Sequence, residues 1–198
     1  MNVNLKTRLV GAMQRLVGRP VMRRFIRRQD GAVAVEFALV ALPFLALMFA
    51  IMETALLFFA QQSLETVATD SARLIMTGQA QNQNFDRDKF KKAVCDRVAG
   101  LFDCMNGLNI DVQTFQSFAK LVEGQANPIP LDSSGNIDAN KLGYQTGGPG
   151  DIVVVRLMYL WPITIPLPGY NLADVSGNKR LMISTVAFRN EPYAGDGT

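Results

Sequence analysis

Glu36 is the residue whose type and position most call for a task. It lies in the run Arg27-Arg28-Gln29-Asp30-Gly31-Ala32-Val33-Ala34-Val35-Glu36-Phe37, where a basic arm stops at Gly31 and an apolar segment begins that continues to about Ala60. A charge costs roughly 2.5–3.5 kcal/mol near the centre of a membrane helix and less near its end. An ordinary anchor has no reason to keep one. Taken alone, Glu36 reads as an interfacial carboxylate flanking an anchor; taken with Gly31, the arm and Phe37, it reads as functional. Glu53 closes the same span and has two readings, a second intramembrane contact or the outer membrane boundary. The chain has no His, which removes Ser-His-Asp and Cys-His catalysis and His-ligated zinc. Cys95 and Cys104 are the two cysteines. In an exported domain they pair as a disulfide, and in a cytosolic chain they stay free thiols. Their spacing is too wide for a CxxC redox motif. No catalytic residue, metal site or cofactor emerges, and the expectation is that the chain is not an enzyme.

The elements that position these residues follow from charge and periodicity. Residues 1–30 hold eight cations against Asp30, a net of +7 that leaves −4 for the rest of a chain whose total is +3. Because this arm abuts an apolar span, the positive-inside rule explains it better than nucleic-acid binding. The N-terminus is then cytoplasmic and the C-terminal bulk outside. Leu5, Leu9, Met13, Leu16 and Val17 fall near helical spacing in the arm, which Gly18-Arg19-Pro20 interrupts. Phe37 to Met52 is unbroken and apolar, and about 20 residues cross a bilayer, so the span takes in part of each flank. Glu36 and Glu53, about 25 Å apart along a helix, then sit near its two faces. Pro43 falls inside and should kink it. A secretory signal peptide would need a small-residue exit that is absent here.

Helical periodicity persists through Leu64, Val67, Ala68, Ala72, Leu74 and Ile75, and Gly78 supplies a stop. One helix is expected from about Ala32 to Thr77, transmembrane first and amphipathic after. A polar loop follows over 79–84. Asp86 then caps a second helix with Phe90, Val94, Val98, Leu101 and Phe102 on its apolar side. Three strands are expected: Leu108–Phe115, Asp151–Trp161 as a covered central strand, and Leu181–Phe188. Loops at 124–150 and 162–178 separate them, the first long enough to bind a partner. The fold class is α+β, with a small, mainly antiparallel sheet whose exposed edge could recruit another subunit's strand. Asp132 to Asp138 resembles a calcium-loop fragment, but Pro130 and Lys141 occupy positions that should be acidic, so a polar turn is expected. Tyr159 and Trp161 read as core packing at a strand end, with a partner-anchoring role as the alternative.

These residues resemble the TadE-like pseudopilins of the tight-adherence (Tad, or Flp) pilus system. Gly31-Ala32-Val33-Ala34-Val35-Glu36-Phe37 is similar to the family's processing site. Leu42-Pro43-Phe44 and Ile51-Met52-Glu53 are similar to its Pro-containing, Glu-ended span. Ala72-Arg73 to Gly78-Gln79 resembles its helix end, and Phe188 to Tyr193 its Arg-Asn-Glu-Pro tail. The resemblance implies a pilin-like fold and cleavage between Gly31 and Ala32 by a prepilin peptidase. It also implies that Glu36 and Phe37 set filament register, with the carboxylate meeting the amine of a neighbouring subunit. An amine freed at Ala32 lies one helical turn from Glu36, and opposite charges entering an apolar core are tolerable when paired.

Three parts are therefore expected: a cleaved cytoplasmic leader at 1–31, a transmembrane and filament-core helix at 32–60, and an extracytoplasmic α+β domain at 61–198. The implied role is a minor pilin that primes, caps or regulates a Tad pilus used for surface adhesion. Its partners would be the prepilin peptidase, other Tad pilins and the inner-membrane assembly platform. The implied location is the bacterial inner membrane, and the pilus after assembly. The alternatives are an unprocessed membrane-anchored sensor or enzyme, and a minor pseudopilin of type II secretion. The latter family carries an aromatic after the glycine, where this chain has Ala32.

Overall fold

Asp30–Met76 forms one helix, α1. The computed structural model describes residues 30–98, 100, 102–123, 129–165 and 169–193; the expected leader lies outside them except for its last two residues. Two compact units divide the chain at Phe49, inside α1. In the first, large apolar side chains from Val33 to Phe49 are exposed on every side. Mean hydropathy reaches 2.4 in a window with none of its residues buried, and α1 is the one helix among the described residues long and apolar enough to cross a membrane. α1 runs on through Pro43.

In the second unit α1 changes character. Glu53, Leu57, Ala60, Leu64, Val67, Ala68, Ser71, Ala72 and Ile75 are buried, at the three- and four-residue spacing of a single helical stripe. The stripe shares one core with a three-stranded antiparallel sheet. The strands are β1 (Asn109–Phe115), β2 (Ile152–Pro162) and β3 (Lys179–Arg189), in the order β1-β2-β3. Val155 of β2 pairs with Val112 of β1 and with Val186 of β3. That register turns Ile110, Val112, Val153, Val155, Leu157, Tyr159 and Met182 into the core with the α1 stripe. β2 is buried on both faces from Ile152 to Tyr159, as its near-continuous apolar run requires. The α+β class and the central place of this strand match the sequence expectation.

The helical connections depart from expectation in two places. The segment expected to be a polar loop after Gly78 contains a helical turn, α2 (Gln79–Asn82), because Ala80 has a place in the core. Asp86 does cap the second helix, accepting the Lys89 N–H at 2.7 Å, but this helix, α3 (Arg87–Cys95), stops well before Phe102. Turn hydrogen bonds from Arg97 and Val98 close it, and Gly100 takes a positive φ of 61°. Val98 and Phe102 still pack against the core, now from the turn. Leu101 lies outside the described residues. A short helix, α4 (Cys104–Gly107), follows, with Asp103 as its cap.

Cys95 and Cys104 form a disulfide with Cα atoms 5.5 Å apart, joining the end of α3 to the start of α4. Replacing both by Ser is expected to lower unfolding stability by about 2–3 kcal/mol on the chain-entropy account of a short loop. The check is a fall in the urea midpoint. An unchanged midpoint would mean that the Asp86 and Asp103 caps already hold the loop.

The edges of the sheet are partly occupied. After a short helix, α5 (Phe118–Glu123), and a 3₁₀ turn (Ala139–Lys141), the chain returns along β1. Val112 donates to Gly143 O and accepts from Gln145 N, at 3.0 and 2.9 Å. Backbone pairing thus ties the described C-terminal part of the 124–150 loop to β1. On the other edge Gln61 of α1 donates to Ile183 O at 3.0 Å, while Thr185 and Ala187 stay exposed. The C-terminal tail closes the domain. Glu191 N–H satisfies Met76 O, an orphan carbonyl of the α1 terminus, at 2.9 Å.

Candidate functional site

Three clusters carry the residues singled out by sequence. The first is the start of α1. Gly31, Ala32, Glu36 and Phe37 all lie on its first turns and are exposed, Phe37 by 73%. An ideal side chain at Gly31 would meet nothing within 4 Å among the described residues. Ala32 and Glu36 are four residues apart in a continuous helix and therefore share a face.

The second cluster surrounds Glu53, and sequence reasoning missed it. Glu53 is 6% exposed. Its Oε1 accepts two backbone N–H groups from the connection after β2, Thr164 at 2.7 Å and Ile165 at 3.0 Å. Its Oε2 is buried with no hydrogen-bond partner among the described residues. Next to it, Thr54 Oγ1 donates to Ala50 O at 2.7 Å and contacts the Tyr170 hydroxyl. Ile163 is buried and held in turn by Asn178, which accepts the Ile163 N–H through its carbonyl and donates its side-chain amide to Ile163 O. A hint existed in the sequence: Pro162 and Pro166 bracket Thr164 and Ile165. Prolines at both ends of a short segment interrupt regular ladder pairing; of the three N–H groups between them, that of Ile163 finds Asn178 O, and those of Thr164 and Ile165 need an acceptor from elsewhere.

The third cluster is the polar heart of the domain. Asp111 on β1 and Arg156 on β2 are both buried and ion-paired, facing each other in register. Asp111 Oδ2 accepts from Arg156 Nε at 3.0 Å and from Gln113 Nε2 at 2.9 Å, and Oδ1 accepts the Gly143 N–H at 2.7 Å. One carboxylate thus joins β1, β2 and the returning 143–145 segment. Neighbouring Tyr144 packs its ring 5.8 Å from Phe90. Burial, then the Asp86 charge, pushes its phenol up to about 12, so it is neutral at physiological pH.

The remaining sequence candidates have structural places. Asp132 Oδ1 accepts the Ser134 and Asn136 N–H groups, each at 2.8 Å, inside a small turn bridged by Leu131 and Ile137. The backbone N–H of Asn136, more than any other contact, holds its carboxyl below the usual range. This is the polar turn expected from the sequence. Tyr159 is buried, with the Phe102 ring at 4.6 Å and Trp161 at 6.3 Å. Both pack in or against the core.

Residues 31–73 match the family model described as TadE-like protein, which links the chain to the Tad pilus system. The match begins at Gly31, includes Glu36, Pro43 and Glu53, and ends at Arg73; the sheet and the C-terminal tail lie beyond it. No curated protein and no solved structure matches the chain.

Proposed function

We propose, from the TadE-like match, that this chain is a minor pilin or pseudopilin of a Tad pilus, cleaved after Gly31 by a prepilin peptidase. The observation that carries the reading is where the family match starts, at the glycine that ends the basic arm. The exposed, uniformly apolar first half of α1 supports it, because such a helix needs lipid or neighbouring helices around it. The disulfide fits an extracytoplasmic domain in an oxidising compartment. Cleavage frees an ammonium at Ala32, and Glu36 of a neighbouring subunit is the acceptor that fixes axial register. A wrong register strands a charge in an apolar core, which supplies the specificity. The domain from Ala50 onward then engages other pilins or the inner-membrane platform, and its size, well beyond a short helical major subunit, suits a priming or capping role.

The test is the N-terminal sequence and intact mass of the chain recovered from cells carrying a prepilin peptidase, alongside Gly31→Val. The expected wild-type product begins at Ala32, and the variant stays full length. If both retain Met1, the protein is an unprocessed membrane-anchored sensor or enzyme instead, and Glu36 is only an interfacial charge.

A further inference from the structure

The exposed apolar surface of α1 does not stop where its buried stripe starts. Glu53 and Leu57 are already covered by the domain, yet Leu56, Phe58 and Phe59 remain exposed, Phe58 by 67%. The exposed face turns polar only at Gln62, Glu65 and Thr66. Phe37 to Met52 is shorter than the ~20 residues a helix needs to cross a bilayer, and extending the span to Phe59 supplies them. The connection after β2 therefore grips α1, at Glu53 and Thr54, about five residues short of the end of the apolar face. At 1.5 Å per residue that is about 7–8 Å toward the hydrocarbon.

Two independent observations concern the connection itself. No charged residue occurs from Leu157 to Ala173, whereas the other long loop carries Asp132, Asp138 and Lys141. Charge returns first at Asp174, whose carboxylate is occupied by the Leu181 N–H at 2.8 Å, and then in two cations where the strand resumes, Lys179 opposite Pro162 and Arg180 opposite Trp161. The treatment of Glu53 points the same way. A carboxylate facing water needs no cover, whereas one at the level of lipid must be withdrawn and supplied with donors. Here it is withdrawn and holds two backbone N–H groups.

We propose that the connection after β2, through Thr164, Ile165 and Tyr170, is a second membrane contact of this chain. It sits in the lipid interface beside the exit of α1, pinned there by Glu53. Tyr170 is 37% exposed and occupies the level at which aromatic residues with one polar end collect. The Glu53 carboxylate thus sets the height of the domain above the bilayer. The inference rests on the membrane-spanning part of the proposed function and is independent of cleavage at Gly31.

The test uses the full chain at high dilution in phosphatidylethanolamine–phosphatidylglycerol vesicles, with one spin label at a time on Thr164→Cys, Phe58→Cys, Phe44→Cys or Gln83→Cys, the last an exposed position beyond the C-terminal end of α1. The native cysteines are held in their disulfide. Collision rates with oxygen and with a water-soluble nickel chelate are compared. Positions 44 and 58 should admit oxygen and exclude nickel, and 83 should do the reverse. Position 164 should show nickel access reduced about threefold or more relative to 83, as for an interfacial depth of roughly 5–10 Å. Glu53→Ala should raise nickel access at 164 to the level of 83 while 44 is unchanged; no rise overturns the role given to Glu53. Nickel access at 164 equal to that at 83, with 44 in lipid, overturns the contact alone. Low access of both agents at 164 marks a protein neighbour and also overturns it. A water-exposed 44 overturns the contact together with the span.

Discussion

Asp111→Ala is expected to lower the unfolding free energy by about 3–5 kcal/mol, the cost of breaking a buried ion pair from one side. The carboxylate is 1% exposed and accepts from Arg156, Gln113 and the Gly143 N–H. The substitution takes the carboxylate paired in register with it away from a guanidinium that is 6% exposed. The Gly143 N–H loses its acceptor in the same step, so the 143–145 segment should loosen from β1. Urea unfolding of the full chain in detergent, followed by the fluorescence of the single Trp161, reads the change. The double variant Asp111→Val with Arg156→Met removes both charges and should recover most of the loss, since apolar replacement of a buried pair is often neutral. A single-variant loss below about 1 kcal/mol would put the pair in the class of solvent-screened surface bridges and contradict its burial.

Gly78→Ala is expected to cost about 2–5 kcal/mol from two separable sources. Gly78 ends α1 with φ 77°, where a Cβ costs roughly 1–2 kcal/mol. That Cβ would also stand 2.4 Å from Cγ of Tyr193, and overpacking adds typically 1–3 kcal/mol. The contact belongs to the tail that caps α1: Glu191 N–H on Met76 O, Asn190 N–H on Asp151 O, and the Tyr193 hydroxyl on Gly147 O. Displacing the ring should therefore detach the tail and uncap the helix. The check is denaturation of Gly78→Ala in the wild-type and Tyr193→Ala backgrounds. In the second background only the backbone part should remain, about 1–2 kcal/mol. Equal losses in both would assign the whole effect to the positive φ.

Features set by neighbouring residues are legible in the sequence alone. The three- and four-residue spacing from Leu64 to Ile75 predicts the buried stripe of α1, Gly78 its stop and Asp86 the next cap, and all three are present. The continuous apolar run of β2 reports that both its faces are buried, whereas the alternation in β1 does not show that Asp111, on its polar face, is buried as well. Periodicity overextends the second helix, because Val98 and Phe102 keep apolar spacing past its end. Spacing cannot distinguish a core contact made by a helix from one made by a turn, and here the Cys95–Cys104 loop converts one into the other.

Hydrophobic periodicity, caps and charge runs act within a few neighbouring residues, and they suffice for the long apolar helix behind a basic arm, the α+β class, the three strands and the candidate processing segment. Which polar groups meet is a matter of tertiary packing: Glu53 with Thr164 and Ile165, Asp111 with Arg156 and Gly143, and Met76 with Glu191. The reason is physical. A buried carboxylate or an orphan carbonyl specifies that it needs a donor, but any N–H serves. Which one arrives depends on how the packed core brings distant segments together, and local spacing carries no record of that.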